Sequence, residues 1–136
     1  MKLIYLFLMT MPGIPFIYYG DEIGMKSRDL PSKEGGYTRT GSRTPMQWSD
    51  AENAGFSKVK ADNLYLPVSD DQDRPTVAEQ DRDPESLLNR VRELIKLRKS
   101  FVALDSDAEF EVIYGESGKL PFVYSRCLLY TSDAAD

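Results

Sequence analysis

The sequence has no histidine and only one cysteine, Cys127, among its 136 residues. Without imidazole groups the chain cannot contain a histidine-based catalytic triad, and a single thiol cannot form a disulfide framework or a thiolate metal site. We therefore predict no metal site and no cofactor. A lone cysteine is compatible with a reducing compartment, and we expect a cytoplasmic protein.

The chain also lacks long blocks of like charge and long apolar runs. Its 22 acidic and 17 basic residues are scattered, with a net charge of −5, so we expect no nucleic-acid partner. The apolar run at residues 3–9 is too short to span a membrane, and we expect no membrane partner. A hydrophobic content of 41% is sufficient for a packed core.

Near the N-terminus, the sequence predicts a buried helix followed by a buried strand. Residues 1–11 favour a helix that is apolar on all sides, and a Pro-Gly pair ends it. Residues 14–19 (IPFIYY) form a continuous apolar run, which is typical of a parallel strand covered on both faces. Asp21 and Glu22 follow the carboxyl end of that strand, where α/β sheets bind their ligands.

The rest of the chain predicts a long loop, a helix and a hairpin. Residues 26–83 show no sustained period, and a loop of that length is usually functional. A helix is predicted over 83–100 with Asp83 as its N-cap, and strands are predicted at 110–114 and 121–124. One barrel-type strand cannot form a sheet, so we expect its partner strands in an N-terminal part of the protein that this chain lacks.

Five segments together resemble glycoside hydrolase family 13, the α-amylase superfamily. The similarity is strongest to its α-glucosidase, oligo-1,6-glucosidase and trehalose synthase group, and it extends over residues 1 to about 126. The segments, in the family's order, are PGIPFIYYGDEIGM (12–25), SRTPMQW (42–48), NAGFS (53–57), LYLP (64–67) and DPESLLNRVRELIKLRKS (83–100).

This resemblance implies an α/β fold. Residues 1–103 would be the last helix-strand-helix portion of a (β/α)8 TIM barrel, and residues 104–126 the start of an antiparallel β-type C-terminal domain. Residues 127–136 (CLLYTSDAAD) instead resemble the translation of a sequencing-library adapter, so we exclude them from the fold.

The resemblance also implies a retaining reaction on α-glucosidic bonds, with one carboxylate as nucleophile and one carboxylic acid as proton donor. In the family these groups lie on earlier barrel strands, so we predict no catalytic residue here and no activity of the chain alone. The expected substrate is a malto- or isomalto-oligosaccharide. Two alternatives remain: a trehalose synthase, which isomerises maltose, and a non-catalytic family member that binds sugar or a partner protein.

The candidate substrate-binding residues are Arg39, Arg43, Glu22 and Gln47. In the family an arginine of the Arg-Asp-Gly-x-Arg segment helps to bind the terminal glucose, and a guanidinium can hold sugar hydroxyls in a fixed orientation. Arg39 matches the first arginine of that pattern and Arg43 the second, and we rank Arg39 first. Thr40 replaces the family's usual aspartate, which alters the local pairing of Arg39.

The remaining candidates have structural alternatives. Asp21 and Glu22 are adjacent on an extended segment and point to opposite sides, so they cannot be the catalytic pair. One of them is expected to cap the loop or to orient groups that face the substrate. The Gln47 amide can bind sugar hydroxyls, whereas we expect Trp48 to anchor the loop by packing rather than to stack on a sugar.

Overall fold

The computed structural model describes residues 1–32 and 39–127. The chain divides into two compact units, one of Met1–Phe16 with the chain from Val91 onward, and one of Ile17–Arg90. Within the described ranges, no helix is long and apolar enough to cross a membrane.

Helix α1 comprises Lys2–Thr10 and confirms the predicted N-terminal helix to within one residue at each end. Its burial differs from the expectation. Only Tyr5 and Met9 are buried, whereas Leu3 is 77% and Ile4 64% exposed. Packing partners among the described residues of this unit cover only one face of the helix, so burial of its other faces stays a prediction.

The C-terminal end of α1 is held by Arg98. Its guanidinium donates hydrogen bonds to the carbonyls of Met9 at 2.7 Å, Met11 at 2.9 Å and Gly13 at 2.6 Å. Carbonyls at a helix end have no partner within the helix, and a cation there also complements the helix dipole. The arginine therefore fixes the point where the helix stops.

The predicted strand at residues 14–19 is not a strand in this structure. The segment is extended but makes no strand ladder with any described residue, and Ile14 is 75% and Phe16 85% exposed. A strand is stabilised by hydrogen bonds to a neighbouring strand. Among the described residues, no segment provides one for this run, which agrees with the expectation that its partner strands lie outside this chain.

In the second unit, the backbone is mostly irregular and is organised by short turns around a small core. Its 3₁₀ turns comprise Asp21–Ile23, Thr40–Arg43, Glu52–Gly55 and Ala61–Asn63. Buried Ile23, Met46 and Leu88 form the centre of the core, with partly buried Met25 and Val77 packed against them.

Helix α2, Val77–Arg82, interrupts the segment that was predicted to be a structureless loop up to residue 83. Thr76 is its N-cap and accepts a hydrogen bond from the Glu79 backbone N–H at 3.2 Å. The sequence Thr-Val-Ala-Glu has the spacing of a capping box, which is a recognisable helix start. The prediction missed this signal because no apolar period follows it.

Helix α3, Leu87–Ser100, confirms the predicted helix but begins four residues later than expected. Asp83 is the C-cap of α2, and its Oδ1 accepts from the Glu85 backbone N–H at 2.9 Å. Ser86 takes the N-cap role, since its Oγ accepts from the Asn89 N–H at 3.2 Å. Asp83 as the N-cap was therefore wrong.

Strands β1, Glu109–Tyr114, and β2, Val123–Cys127, form an antiparallel hairpin. Val112 pairs with Tyr124, and the register shifts between Val112 and Tyr114. The predicted hairpin is confirmed, although the second strand begins two residues later than expected and includes Cys127. The remainder of the proposed tail, residues 128–136, lies outside the described residues.

Candidate functional site

A groove with a volume of about 400 Å³ lies in the Ile17–Arg90 unit. Two charged groups line it, together with aromatic rings and aliphatic side chains. The lining residues are Glu22, Arg43, Tyr19, Trp48, Phe56, Tyr65, Pro45, Met46, Leu64 and Leu66. A volume of this size falls in the range of about 300–1,000 Å³ that is usual for small-molecule sites.

Glu22 is placed in the groove by a turn at Gly20. Gly20 has a left-handed backbone with φ 91°, and its N–H donates to Oε2 of Glu22 at 2.7 Å. A Cβ atom at Gly20 would also lie 2.6 Å from the sulfur of the flexible Met25 side chain, but the left-handed backbone is the main reason for glycine there. Glu22 thus closes the turn at Gly20, while its contact with substrate stays a prediction.

Tyr19 lines the groove together with Arg43. Its hydroxyl donates to the Thr44 carbonyl at 3.1 Å, and its ring packs on Tyr18 with centroids 4.7 Å apart. Burial and the neighbouring Tyr18 raise the pKa of Tyr19, and the positive charge of Arg43 partly opposes that rise. The phenol therefore stays protonated at neutral pH and acts as a hydrogen-bond donor.

The other two candidates do not line the groove. Gln47 is 3% exposed, and its Nε2 donates to the Pro75 carbonyl at 2.6 Å. Arg39 is exposed, and its carbonyl accepts from the hydroxyl of Ser42 at 2.9 Å. The structure thus brings Glu22 and Arg43 together, while substrate contact by Arg39 or Gln47 remains a prediction without geometric support from the groove.

Four aromatic residues line the groove, and none of them, Tyr19 included, was predicted as a site residue. Trp48 is 49%, Phe56 50% and Tyr65 60% exposed. Trp48 was expected to anchor the loop, but its ring is half exposed on the groove, and its anchoring bond comes from its backbone N–H to the Ala54 carbonyl at 2.9 Å. The available signal was that this loop follows a predicted barrel strand. Sequence patterns alone do not show which aromatic side chains of such a loop lie close together.

The groove lining combines aromatic rings with one carboxylate and one guanidinium. Half-exposed rings can cover the C–H face of a sugar, while a carboxylate and a guanidinium can hold its hydroxyls. Glycoside cleavage needs two carboxyl groups on either side of the scissile bond, and the described groove lining contains one, Glu22. Within the same described residues, no group of three or more acidic, histidine or cysteine side chains could hold a metal ion.

Comparison with protein families gives a match to the α-amylase catalytic domain over residues 1–107. Among curated proteins, the chain is 37% identical over 133 residues to a salivary α-glucosidase of Aedes aegypti, with 88% of this chain and 22% of that protein covered. It is 41% identical over 96 residues to the trehalose synthase/amylase TreS of Mycobacterium tuberculosis (strain ATCC 25618 / H37Rv), with 68% of this chain and 15% of TreS covered.

A third relative is named as a transporter heavy chain and not as an enzyme. The amino acid transporter heavy chain SLC3A1 of Mus musculus is 32% identical over 119 residues, covering 81% of this chain and 17% of that protein. The chain thus spans about a fifth or less of the length of these curated relatives.

Among solved structures, a mutant isomaltulose synthase of Erwinia rhapontici NX5, in complex with D-glucose, superposes with a TM-score of 0.76. The sequence identity is 23%, and the match covers 93% of this chain and 27% of that one. This likeness shows the fold. The architecture predicted from sequence, an α-amylase-type barrel portion followed by the start of an antiparallel β domain, is therefore confirmed.

Proposed function

The chain belongs to the α-amylase family, and from this premise we propose that it supplies a sugar-binding groove to a retaining α-glucosidase. The substrate class is that of short malto- or isomalto-oligosaccharides. α-Glucosidases are among its relatives. The expected nucleophile and acid belong to earlier barrel strands, so the role of these residues is to bind and orient the glucosyl unit.

The observation that carries the proposal is the composition of the groove. Four aromatic rings line it, from Tyr19, Trp48, Phe56 and Tyr65, and its charged groups are one carboxylate and one guanidinium. Glucose has C–H faces that pack on rings and equatorial hydroxyls that need donors and acceptors. An amphipathic ligand of that kind matches a groove with apolar walls and few charged groups.

Within this site we assign the glucose-binding role to Arg43 in preference to Arg39. Arg43 lines the groove together with Glu22, whereas Arg39 does not. A guanidinium holds neighbouring hydroxyls through its planar fork of N–H donors. Glu22, fixed by the Gly20 N–H, can accept a hydrogen bond from a hydroxyl. This ranking reverses the one that the family's motif suggested.

The test uses Trp48, the single tryptophan of the chain, as a reporter in the groove. Maltose added to the purified chain should change the intrinsic fluorescence in a saturable manner, and mannitol at equal concentration should not. Arg43→Met should weaken maltose binding roughly 10- to 150-fold, the loss of one hydrogen bond to a charged group. Arg39→Met is the matched control and should leave the binding constant within about twofold.

A folded chain whose Trp48 emission does not respond saturably to maltose, isomaltose or trehalose would refute the sugar-binding role. If Arg39→Met abolished binding while Arg43→Met did not, the groove assignment would be wrong, although the family function would stand. The purified chain is also expected to be inactive on maltose, because its groove offers one carboxylate instead of two.

Trehalose synthase is the second candidate, favoured by the 41% identity to TreS. A non-catalytic role in binding sugar or a partner protein is the third, and the relative named as a transporter heavy chain favours it. Proton NMR of maltose incubated with the full-length protein distinguishes them: α-glucose as first product indicates a retaining hydrolase, and trehalose indicates the isomerase. Maltose binding without any product indicates the third role. The cytoplasmic location also remains a prediction.

A further inference from the structure

The aromatic wall of the groove is connected to an unusual left-handed turn. Three consecutive residues have positive φ angles: Asn53 at 51°, Ala54 at 56° and Gly55 at 70°. L-amino acids other than glycine adopt this conformation at a cost, and asparagine tolerates it better than most. Such a turn persists only where the surrounding contacts determine it.

The turn is fixed on the side that precedes it. The carbonyl of Ala54 accepts two hydrogen bonds, from the Trp48 N–H at 2.9 Å and from the Ser49 N–H at 3.1 Å. Ala54 itself is 1% exposed. A Cβ atom at Gly55 would lie 2.7 Å from the hydroxyl oxygen of Ser49, so the two segments are in close contact. The backbone of Trp48 is thereby tied to the centre of the turn.

The turn is also fixed on the side that follows it, through the Asn53 side chain. Its Nδ2 donates to the Ser57 carbonyl at 3.0 Å and to the Val59 carbonyl at 2.6 Å. The backbone carbonyl of Asn53 accepts from the Phe56 N–H at 3.0 Å. The side-chain amide thus uses both of its N–H groups to hold the segment that continues from Phe56.

Trp48 and Phe56 lie on either side of this turn in the sequence, and both line the groove while half exposed. When only one side of a ring is packed, the position of that ring depends on its backbone. Asn53 does not line the groove. Its two side-chain hydrogen bonds hold the carbonyls of Ser57 and Val59, in the segment that directly follows Phe56.

We propose that Asn53 is a positioning residue that sets the distance between Trp48 and Phe56, and hence the affinity of the groove for the apolar face of a glucosyl unit. The ligand part of this inference rests on the proposed sugar-binding function, while the positioning part does not.

The experiment uses Asn53→Gly, because glycine retains the left-handed backbone and removes only the side-chain donors. Asn63→Gly is the matched control, since Asn63 is exposed and does not line the groove. In Asn53→Gly, we expect a red shift of the Trp48 emission maximum and maltose binding weakened about fivefold or more, the loss typical of hydrogen bonds of this kind. Asn53→Asp, which cannot donate to the two carbonyls, should behave like Asn53→Gly.

The proposal is overturned if Asn53→Gly matches the wild type in both emission and maltose affinity, or if Asn63→Gly causes equal changes. It is also overturned if Asn53→Gly loses its helical circular dichroism, since Asn53 would then support the whole fold. If the wild type binds no sugar, the proposed function fails, and the emission shift alone decides the positioning role.

Discussion

Two segments of this chain reverse the usual relation between polarity and burial. Residues 14–19 are apolar, yet Ile14 and Phe16 are 75% and 85% exposed. Residues 40–47 contain many polar side chains, yet Thr44 and Gln47 are each 3% exposed. Hydrophobicity alone would have predicted the opposite order.

The difference lies in the partners that the described residues provide. Polar groups can be buried when each has a hydrogen-bond partner, and Gln47 finds one at the Pro75 carbonyl. Thr76 has one in the Glu79 N–H. An apolar strand needs a neighbouring strand on each edge and a covering layer on each face. The described residues supply partners of the first kind, but none of them supplies a neighbouring strand for residues 14–19.

The largest expected effect compares the same substitution in both environments. Ile23 is 2% exposed in the core of its unit, and Ile14 is 75% exposed. Ile23→Ala should lower the free energy of unfolding by about 3 kcal/mol, because it removes buried methyl groups and leaves a cavity. Ile14→Ala should change it by less than about 0.5 kcal/mol. Urea-induced unfolding followed by far-ultraviolet circular dichroism measures both, and equal effects would show that residues 14–19 are buried in solution.

A slightly smaller effect is expected at Gly41, which lies inside the buried polar segment. A Cβ atom there would be 1.6 Å from the Arg28 carbonyl oxygen, so one of the two backbones must move. We expect Gly41→Ala to cost about 2–3 kcal/mol in the same assay. The neighbouring Ser42→Ala, which loses one exposed hydrogen bond to the Arg39 carbonyl, is the control and should cost about 0.5–1 kcal/mol. A neutral Gly41→Ala would show that this close contact is absent in solution.

The comparison also explains which parts of the fold could be predicted from sequence. Helices α1 and α3 and the β1–β2 hairpin were predicted because their signals are local: a proline-glycine stop, an apolar stripe, and two β-prone runs. The run at residues 14–19 has the apolar pattern of a buried strand but is unpaired among the described residues, because strand formation depends on a partner that periodicity does not reveal.

For the site, the sequence suggested candidate charged residues, but it did not reveal how the loop arranges them. Glu22 and Arg43 were candidates and lie in the groove, whereas Arg39, which was ranked first, does not. Motif position cannot distinguish two arginines four residues apart, because the direction of each side chain is set by the 3₁₀ turn Thr40–Arg43. The aromatics Phe56 and Tyr65 were missed because a long irregular loop has no period from which convergence can be inferred.

A moderate effect is expected from the N-cap of α2, where a polar residue is buried at 1% exposure. Thr76→Val keeps the shape of the side chain but removes the oxygen that accepts from the Glu79 N–H. It should cost about 1–2 kcal/mol in urea-induced unfolding. Thr76→Ser keeps that oxygen and loses one methyl group, so a smaller cost of about 0.8 kcal/mol is expected. The reverse order would mean that packing, not capping, accounts for the burial of Thr76.

The smallest effect is expected at the surface pair of Lys26 and Asp71, whose side-chain atoms Nζ and Oδ2 are 2.9 Å apart. The hydrogen bond from Lys26, that from the Asp73 backbone N–H and the charge of Lys26 hold the pKa of Asp71 below its ordinary value of 3.8. In turn, the hydrogen bond and the charge of Asp71 raise the pKa of Lys26 above its ordinary value of 10.5.

A carboxyl group whose pKa is lower in the folded state stabilises the fold above its unfolded pKa, and this contribution is lost as the pH falls through the folded value. The lysine contribution is present below pH 10.5 and is lost as the pH rises through its raised value. NMR titration of the Asp71 carboxyl group in Lys26→Met should show its pKa rising towards 3.8, yet remaining below it, because the Asp73 N–H still donates at 3.2 Å. Lys58→Met, at an exposed site in the same unit, is the control. An Asp71 pKa that is unchanged in Lys26→Met would show that the pair does not form in solution, as is common for exposed ion pairs.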